Sequence, residues 1–488
     1  MSLLEGNSCS PPDLPDSVHA IHAHLNSLRG RQAVLLRQLE QINEEIQAVE
    51  TKRARIDNEN ASISKLPPEL LSRIFLLCQK DSEHNASQFT ASRVCSRWRN
   101  LSNGTALLWT KIRITLEHIF HVPSRLHKLE THLTRSGPSG IFTAHLDVHT
   151  NLDFSPFLKL IASHISRCSR LSISVLKHPK ACLLLREYLE YLQASQLNYL
   201  SIHVDWADSG PYDRVMSNVP LIFKGGAPLL TSLQLTGIAS ALRPPISSDI
   251  TTLHLDGVYM LELTVYNYRN LLAATPSLVN LSLRGLKIDK PSAGMEEALE
   301  LPRLRSLRCR AKDTDHPFTS ANSLFTALPL HQLESLVLCD VDNLWLFDFP
   351  NVKDLSLHGC GFGVSHIGHL MLAFPSVVSL TLESASLLYM ALSIEGRPVW
   401  WPNLRVLCVR DLAKDDAPTL LKMVQGRAQM NRPLEIVCLN RSSRRRASGI
   451  LDALENLTKV SHLGSHAEPW PPGADAGLLE DDSFWDDY

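Results

Sequence analysis

Six segments of this chain carry one pattern, Pro-X-apolar-X-X-Leu-X-apolar: "APLLTSLQLTG", "TPSLVNLSLRG", "LPRLRSLRCR", "FPNVKDLSLHG", "FPSVVSLTLES" and "WPNLRVLCVRD". Two more, "SDITTLHLDG" and "HQLESLVLCD", keep the apolar positions without the proline. With Ser248 and His331 as their anchors, successive copies are 20, 28, 26, 29, 19, 25 and 27 residues apart. Fainter copies lie at "CSRLSI", "LNYLSI" and "PLEIVCL". A leucine-rich period in the twenties predicts stacked supersecondary units, because no single unit can bury its leucines alone. The Leu-X-apolar end of each unit reads as a short strand with alternating faces. "YRNLLAATP", "HIGHLMLAFP" and "TLLKMVQGRAQM" read as helices between strands. One strand and one helix per unit, all strands parallel, gives a curved solenoid, a horseshoe, expected over residues 141–462.

The pattern resembles the leucine-rich-repeat class. It departs from that class after the strand, where the usual Asn or Cys ladder is absent and only Cys360 stands nearby, so irregular repeats are expected. Alternation predicts that residues beside the buried leucines face outward on the concave side. Candidate target-binding residues there are Asp256, Arg284, Arg308, Arg310, His358 and Arg410. Arg284, Arg308 and Arg310 fall on adjacent strands, roughly 5 Å apart. Two readings stay open. The arginines capture an acidic or phosphorylated partner, for which guanidinium groups are suited, or acids such as Asp256 and the acidic tail neutralise them.

Far upstream, Ile21, Leu25, Leu28, Leu35, Leu39, Ile42, Ile46, Val49 and Ile56 keep a four-three rhythm broken only by Gln32 and Arg53. This predicts a long helix over 21–58 with a narrow apolar seam. Self-association as a coiled coil and packing on the chain's own next module are the two ways to cover it. His19, His22 and His24 read as a solvated helix start rather than as metal ligands. Residues 1–20 are expected to be disordered, with no basic region and apolar core of a secretory signal.

The heptads give way to "ISKLPPELLSRIF", where Pro67 and Pro68 mark a sharp helix start. Leu70, Leu71, Ile74, Phe75 and Leu77 then form a helical stripe, and Phe89, Val94, Cys95, Trp98 and Leu101 a second one. About fifty residues make a marginal free-standing domain, so an apolar face is left for a partner. "LPPELLSRIF", "RVCSRW" and "LLW", in this order, resemble the F-box over residues 63–114. The resemblance implies a small all-α bundle docking on a Skp-type adaptor, which is tethered to a cullin. Carried over, the adaptor-facing or core set is Leu66, Pro67, Leu70, Ile74, Phe75, Val94, Cys95 and Trp98. A heptad helix before an F-box also resembles the arrangement of fungal F-box proteins.

Composition narrows the classes. The net charge of −2 lacks the basic excess of a nucleic-acid binder, and no apolar run exceeds six residues, too short for a membrane span. Ten cysteines form no Cys-X-X-Cys pair, so no structural zinc or other metal site is expected, and reduced thiols point to the cytoplasm or nucleus. "TRSGPSG" reads as a break between F-box and solenoid, "RSSRRR" as an exposed loop, and the acidic residues 465–488 as a disordered tail. No glycine-rich phosphate loop, nucleophile elbow or His-Glu-X-X-His appears, so neither catalysis nor a cofactor is expected.

The expected fold class is therefore α/β: a heptad helix, a small all-α F-box, then an irregular leucine-rich-repeat solenoid. The expected function is substrate recognition in a Skp–cullin–F-box ubiquitin ligase, with the F-box docking the adaptor and the solenoid binding the target. The alternative is a non-catalytic scaffold acting without a ligase. Neither nucleic acid nor membrane is an expected partner.

Overall fold

The computed structural model describes residues 18–81, 87–149, 151–176, 178, 180–205, 222–237, 245, 249–257, 265–285, 299–310, 324–341, 347–360, 364–383, 400–463 and 470. The chain divides into two compact units, Met1–Gly104 and Thr105–Tyr488. The expectations of disorder for 1–20 and 465–488 fall largely outside the described residues.

The first unit is helical. Helix α1 spans Val18–Asn60, a 43-residue rod that begins three residues before the expected start. Its seam residues from Ile21 to Ile56 are 41–67% exposed. Packing of the seam on the chain's own next module therefore leaves no trace among the described residues. A 3-10 turn over Ser62–Lys65 leads to α2, Pro68–Asp81. The Leu71 amide donates to the Pro67 carbonyl at 3.1 Å, while Pro68 occupies the first helical position, where no amide partner is needed. Helices α3, Ser87–Val94, and α4, Ser96–Gly104, complete the unit. Its small core holds Leu71, Phe75 and Ala91, and the rings of Phe75 and Trp98 lie 4.9 Å apart.

The second unit is built on a parallel sheet with fourteen strands among the described residues, each paired with its sequence neighbours. They are β1 (Lys111–Leu116), β2 (Phe142–Val148), β3 (Cys168–Leu176), β4 (Tyr199–Asp205), β5 (Ser232–Thr236), β6 (Thr252–Asp256) and β7 (Asn280–Arg284), followed by β8 (Ser306–Arg310), β9 (Ser335–Cys339), β10 (Asp354–His358), β11 (Ser379–Glu383), β12 (Val406–Arg410), β13 (Ile436–Leu439) and β14 (Lys459–His462). With the intervening helices this is a solenoid-like α/β arrangement.

The repeat pattern maps directly onto it. Leu233, Leu253, Leu281, Leu307, Leu336, Leu355, Leu380 and Leu407 stand opposite one another in register, each at most 1% exposed. Burying one such side chain contributes about 1.5–3 kcal/mol. Repeat prolines sit at the second position of a turn closed by the residue two beyond: after Pro228, Pro276 and Pro402, Leu230 donates to Ala227 at 3.1 Å, Leu278 to Thr275 at 3.1 Å and Leu404 to Trp401 at 3.0 Å. Proline's fixed φ suits that position, and its missing amide costs nothing there. Strands exit through left-handed residues, including Gly237, Gly285, Asp340, Gly359 and Asp411. At Gly359 a Cβ would run into the Asp340 carboxylate, so glycine is required there for space as well as conformation.

Three sequence expectations need correction. The sheet starts at Lys111, not at residue 141, because "KIRITL" alternates as a strand and buries Ile112, Ile114 and Leu116 with α5 (Val122–Arg135). Trp109, within the stretch read as the F-box and expected there as core, is buried beside α5. His132 donates from Nδ1 to its carbonyl at 3.2 Å, and the Arg135 guanidinium lies 4.5 Å over its ring. "TRSGPSG" is accordingly a turn inside the solenoid, between α5 and β2, where Arg167 donates to the Leu133 carbonyl at 3.2 Å and the Gly140 carbonyl at 2.9 Å. Finally, "RSSRRR" is a short helix over Arg441–Arg446 rather than a loop. Asn440 caps it by accepting from the Ser443 amide at 2.8 Å, and Arg446 and Arg444 pair with Asp411 and Glu455.

Candidate interaction surfaces

Two surfaces collect the candidate residues. On the helical unit, the 3.6-residue stripe of α2 splits into two faces. Leu71 and Phe75 point inward, at 0% and 5% exposed, whereas Leu70, Ile74 and Leu77 are 50%, 37% and 53% exposed. Val94 at the end of α3 is also 50% exposed, Pro67 is exposed, and Leu66, Cys95 and Trp98 are half-buried. The candidate set is thus divided: Phe75 is core, Trp98 packs on it, and the others lie wholly or partly at the surface. Arg97 fixes the entry to α2 from α4. It donates to the Ser64 carbonyl and, at 2.6 Å, to the Leu66 carbonyl. That clamp sets where Leu66 and Pro67 emerge, and the sequence reading missed it.

On the sheet, the residues between the buried leucines form in-register polar rows. One row runs Ser201, Gln234, His254, Ser282 and Arg308 across β4–β8. The next runs His203, Thr236, Asp256, Arg284, Arg310, Cys339 and His358 across β4–β10. Asp256, Arg284, Arg308 and Arg310 are therefore brought together, while His358 lies farther along and Arg410 faces Glu383 on β11–β12. Each of the three arginines is hydrogen-bonded on this face, two of them to carboxylates. Arg284 donates to Asp256 at 3.0 Å, Arg310 to Asp340 at 3.2 Å, and Arg308 meets Ser282 Oγ at 2.6 Å and His254 Nδ1 at 2.9 Å. Of the two readings of the cluster, the geometry favours neutralisation for Arg284 and Arg310. His358 lies 3.4 Å from Glu383, and its hydrogen bond holds the Glu383 carboxyl below the usual range. Burial lowers the pKa of His203, against the pull of Asp256 and Asp205.

Trp470, from the segment read as a disordered tail, joins this face. It is 5% exposed, its ring packs edge-on with His254 at 4.7 Å, and the Arg308 guanidinium lies 4.3 Å from its ring centre. Beside it opens a cleft of about 280 Å³ lined by Arg170, Tyr199, Ser232, Gln234 and Thr252 among others. Arg170 stacks over Tyr199 at 4.2 Å, and the Tyr199 hydroxyl donates to Gln234 at 3.3 Å. Sequence reasoning missed Trp470, Arg170, Tyr199 and Asp340. The available signal for Trp470 was "EPWPP", a lone aromatic between prolines in an otherwise polar stretch. Among the described residues no group of three or more His, Cys, Asp or Glu could hold a metal, and no helix is long and apolar enough to cross a membrane.

A search of curated proteins finds no match to the chain. The F-box-like family model matches residues 63–115, from the turn before α2 into β1. F-box domains bind Skp-type adaptors, and F-box proteins are typically non-catalytic. The match thus supports an F-box protein whose residues 63–115 suggest an adaptor-binding role in Skp–cullin–F-box ubiquitin ligase complexes.

Proposed function

We propose that this chain is the target-recognition subunit of such a ligase. The observation that carries the proposal is the exposure of Leu70, Ile74 and Val94 within a region matching the F-box-like family. An apolar side chain left half in water on a small helical unit gains about 1–2 kcal/mol when a partner covers it. Pro67, Leu70, Ile74 and Val94 form the adaptor face, with Leu66 and Cys95 at its margin. Phe75 and Trp98 support it from behind, and the cullin is reached through the adaptor. The second unit is a leucine-rich-repeat-class solenoid. Its polar face, from Asp256, Arg284, Arg308 and Arg310 to His358 and Arg410, is the target surface. The α1 seam associates with a second copy of α1 as a coiled coil, and the order of coil, F-box and solenoid is of the fungal type.

Quantitative affinity capture with proteasome activity blocked tests this. Wild-type chain should retain adaptor, cullin and a further set of proteins. Leu70→Asp/Ile74→Asp should lose adaptor and cullin. Arg308→Met should keep both and lose the further set. No adaptor bound to folded wild-type chain would favour a scaffold without a ligase, and an unchanged set with Arg308→Met would remove the polar face from the account.

A further inference from the structure

The polar face already holds a side chain that comes from outside the sheet. Trp470 lies between Arg308 and His254, 95% shielded, although the flanking sequence is polar and acidic. Its ring receives the contacts by which aromatic groups are recognised: a guanidinium over the π face at 4.3 Å and an imidazole at its edge at 4.7 Å. The guanidinium is itself held in place by Ser282 and His254 at 2.6 and 2.9 Å, so the cation is preorganised beneath the ring. The indole Nε1 is buried and meets no acceptor among the described residues. The site thus reads the ring and not its N–H, and a phenylalanine ring would fit the same contacts without a buried donor.

The surroundings define the rest of the ligand. The cleft beside Trp470 is lined by hydroxyl, amide and phenol groups from β4–β6, with Arg170 on β3 at its far side. From β8 to β3 is five strand spacings, about 24 Å, which about seven extended residues would span. Asp256 and Asp340 already neutralise Arg284 and Arg310. Among the described residues Arg170 has an aromatic neighbour, Tyr199, and no acidic one.

We infer that the polar face between β3 and β8 is a binding site for an extended peptide segment with an aromatic anchor and nearby carboxylates, and that Trp470 of this chain occupies the anchor position in competition with such a segment. The partner is a protein presenting that segment. The inference rests on the polar face being the target surface, and it adds the chemistry that the surface recognises. A tethered occupant acts at an effective concentration of the order of millimolar, so a ligand in trans must displace it.

The test uses the full-length chain and a fluorescein-labelled peptide of residues 465–476, "SHAEPWPPGADA", followed by fluorescence anisotropy. Trp470→Ala should bind this peptide at least tenfold more tightly than wild type, because its own anchor is gone. A peptide with alanine at the tryptophan position should not bind. Arg308→Met added to Trp470→Ala should abolish binding. Should that variant lower the unfolding midpoint, His254→Ala added to Trp470→Ala carries the same test and should weaken binding several-fold. Equal affinity of wild type and Trp470→Ala, no saturable binding by Trp470→Ala, or binding indifferent to Arg308 and His254 would overturn the inference. Such a failure, with target capture still lost in Arg308→Met, would leave the polar face as the target surface and remove only the aromatic anchor.

Discussion

Arg284 on β7 donates to Asp256 on β6 at 3.0 Å, and both side chains are more than nine-tenths buried. The pair lies in the polar row that crosses the middle of the sheet, so a charge taken out of water depends on its neighbour. Removing one member of a buried pair is far more costly than removing both. Asp256→Ala should destabilise the second unit by roughly 3 kcal/mol. Adding Arg284→Met should recover most of that loss. Urea unfolding of the two variants decides it. A double variant no more stable than the single one would mean that the pair is not what the two residues contribute.

The two faces of α2 should respond differently to truncation. Phe75 is 5% exposed against Trp98, so Phe75→Ala should cost about 3–4 kcal/mol. In so small a unit, amide protection across Ser87–Gly104 should then collapse in hydrogen exchange on the full chain. Leu70, half exposed, should cost under about 1 kcal/mol when changed to alanine and leave that protection intact.

Acid should loosen the start of the solenoid before it titrates most carboxylates. Burial pushes the pKa of His132 from 6.5 down to about 4, and Lys128 and Arg135 act in the same direction. The unfolded chain therefore binds this proton more tightly than the folded one. The stabilisation is complete above pH 6.5 and is lost as pH falls from 6.5 towards 4, reaching about 3 kcal/mol at 1.36 kcal/mol per pH unit. Urea unfolding at pH 7, 5.5 and 4.5 should show that decline, and His132→Gln should flatten it. A wild-type stability that does not change across this window would contradict the assignment.

The α1 seam makes a prediction about mass. The rod is about 65 Å long at 1.5 Å per residue, and its apolar seam is exposed from Ile21 to Ile56. Light scattering should give a concentration-dependent dimer for the full chain and a monomer after removal of residues 1–60. A monomer in both cases would end the coiled-coil reading.

The repeats were legible because their physics is local. A buried leucine and an alternating strand recur in each copy, with a proline turn before most of them, and the register of β5–β13 follows from them. β1 and β2 alternate equally well, but no Pro-X-apolar turn precedes "KIRITL" or "FTAHLDV", so the repeat pattern does not mark them. The polar rows were readable from strand alternation, which placed Arg284, Arg308 and Arg310 side by side. Their partners were only partly readable: Asp256 lies within the pattern, whereas Asp340 lies one residue beyond a strand, where its orientation depends on a left-handed turn. The docking of Trp470 could not be read from the repeats, since periodicity carries no information about a residue outside them, and "EPWPP" marks the residue without saying where it binds. On α2 the stripe was visible, but its division into Phe75 inside and Ile74 outside depends on how α3 and α4 pack against it.

The central claim is that residues 63–115 present an adaptor-binding face, and calorimetric titration of the purified full-length chain with a Skp-type adaptor tests it most directly. Wild-type chain should bind saturably at micromolar concentration or below. Leu70→Asp/Ile74→Asp should bind about a hundredfold more weakly while remaining folded, because two charges would be buried at an apolar contact. No binding by folded wild-type chain, or equal affinity for both proteins, would contradict it.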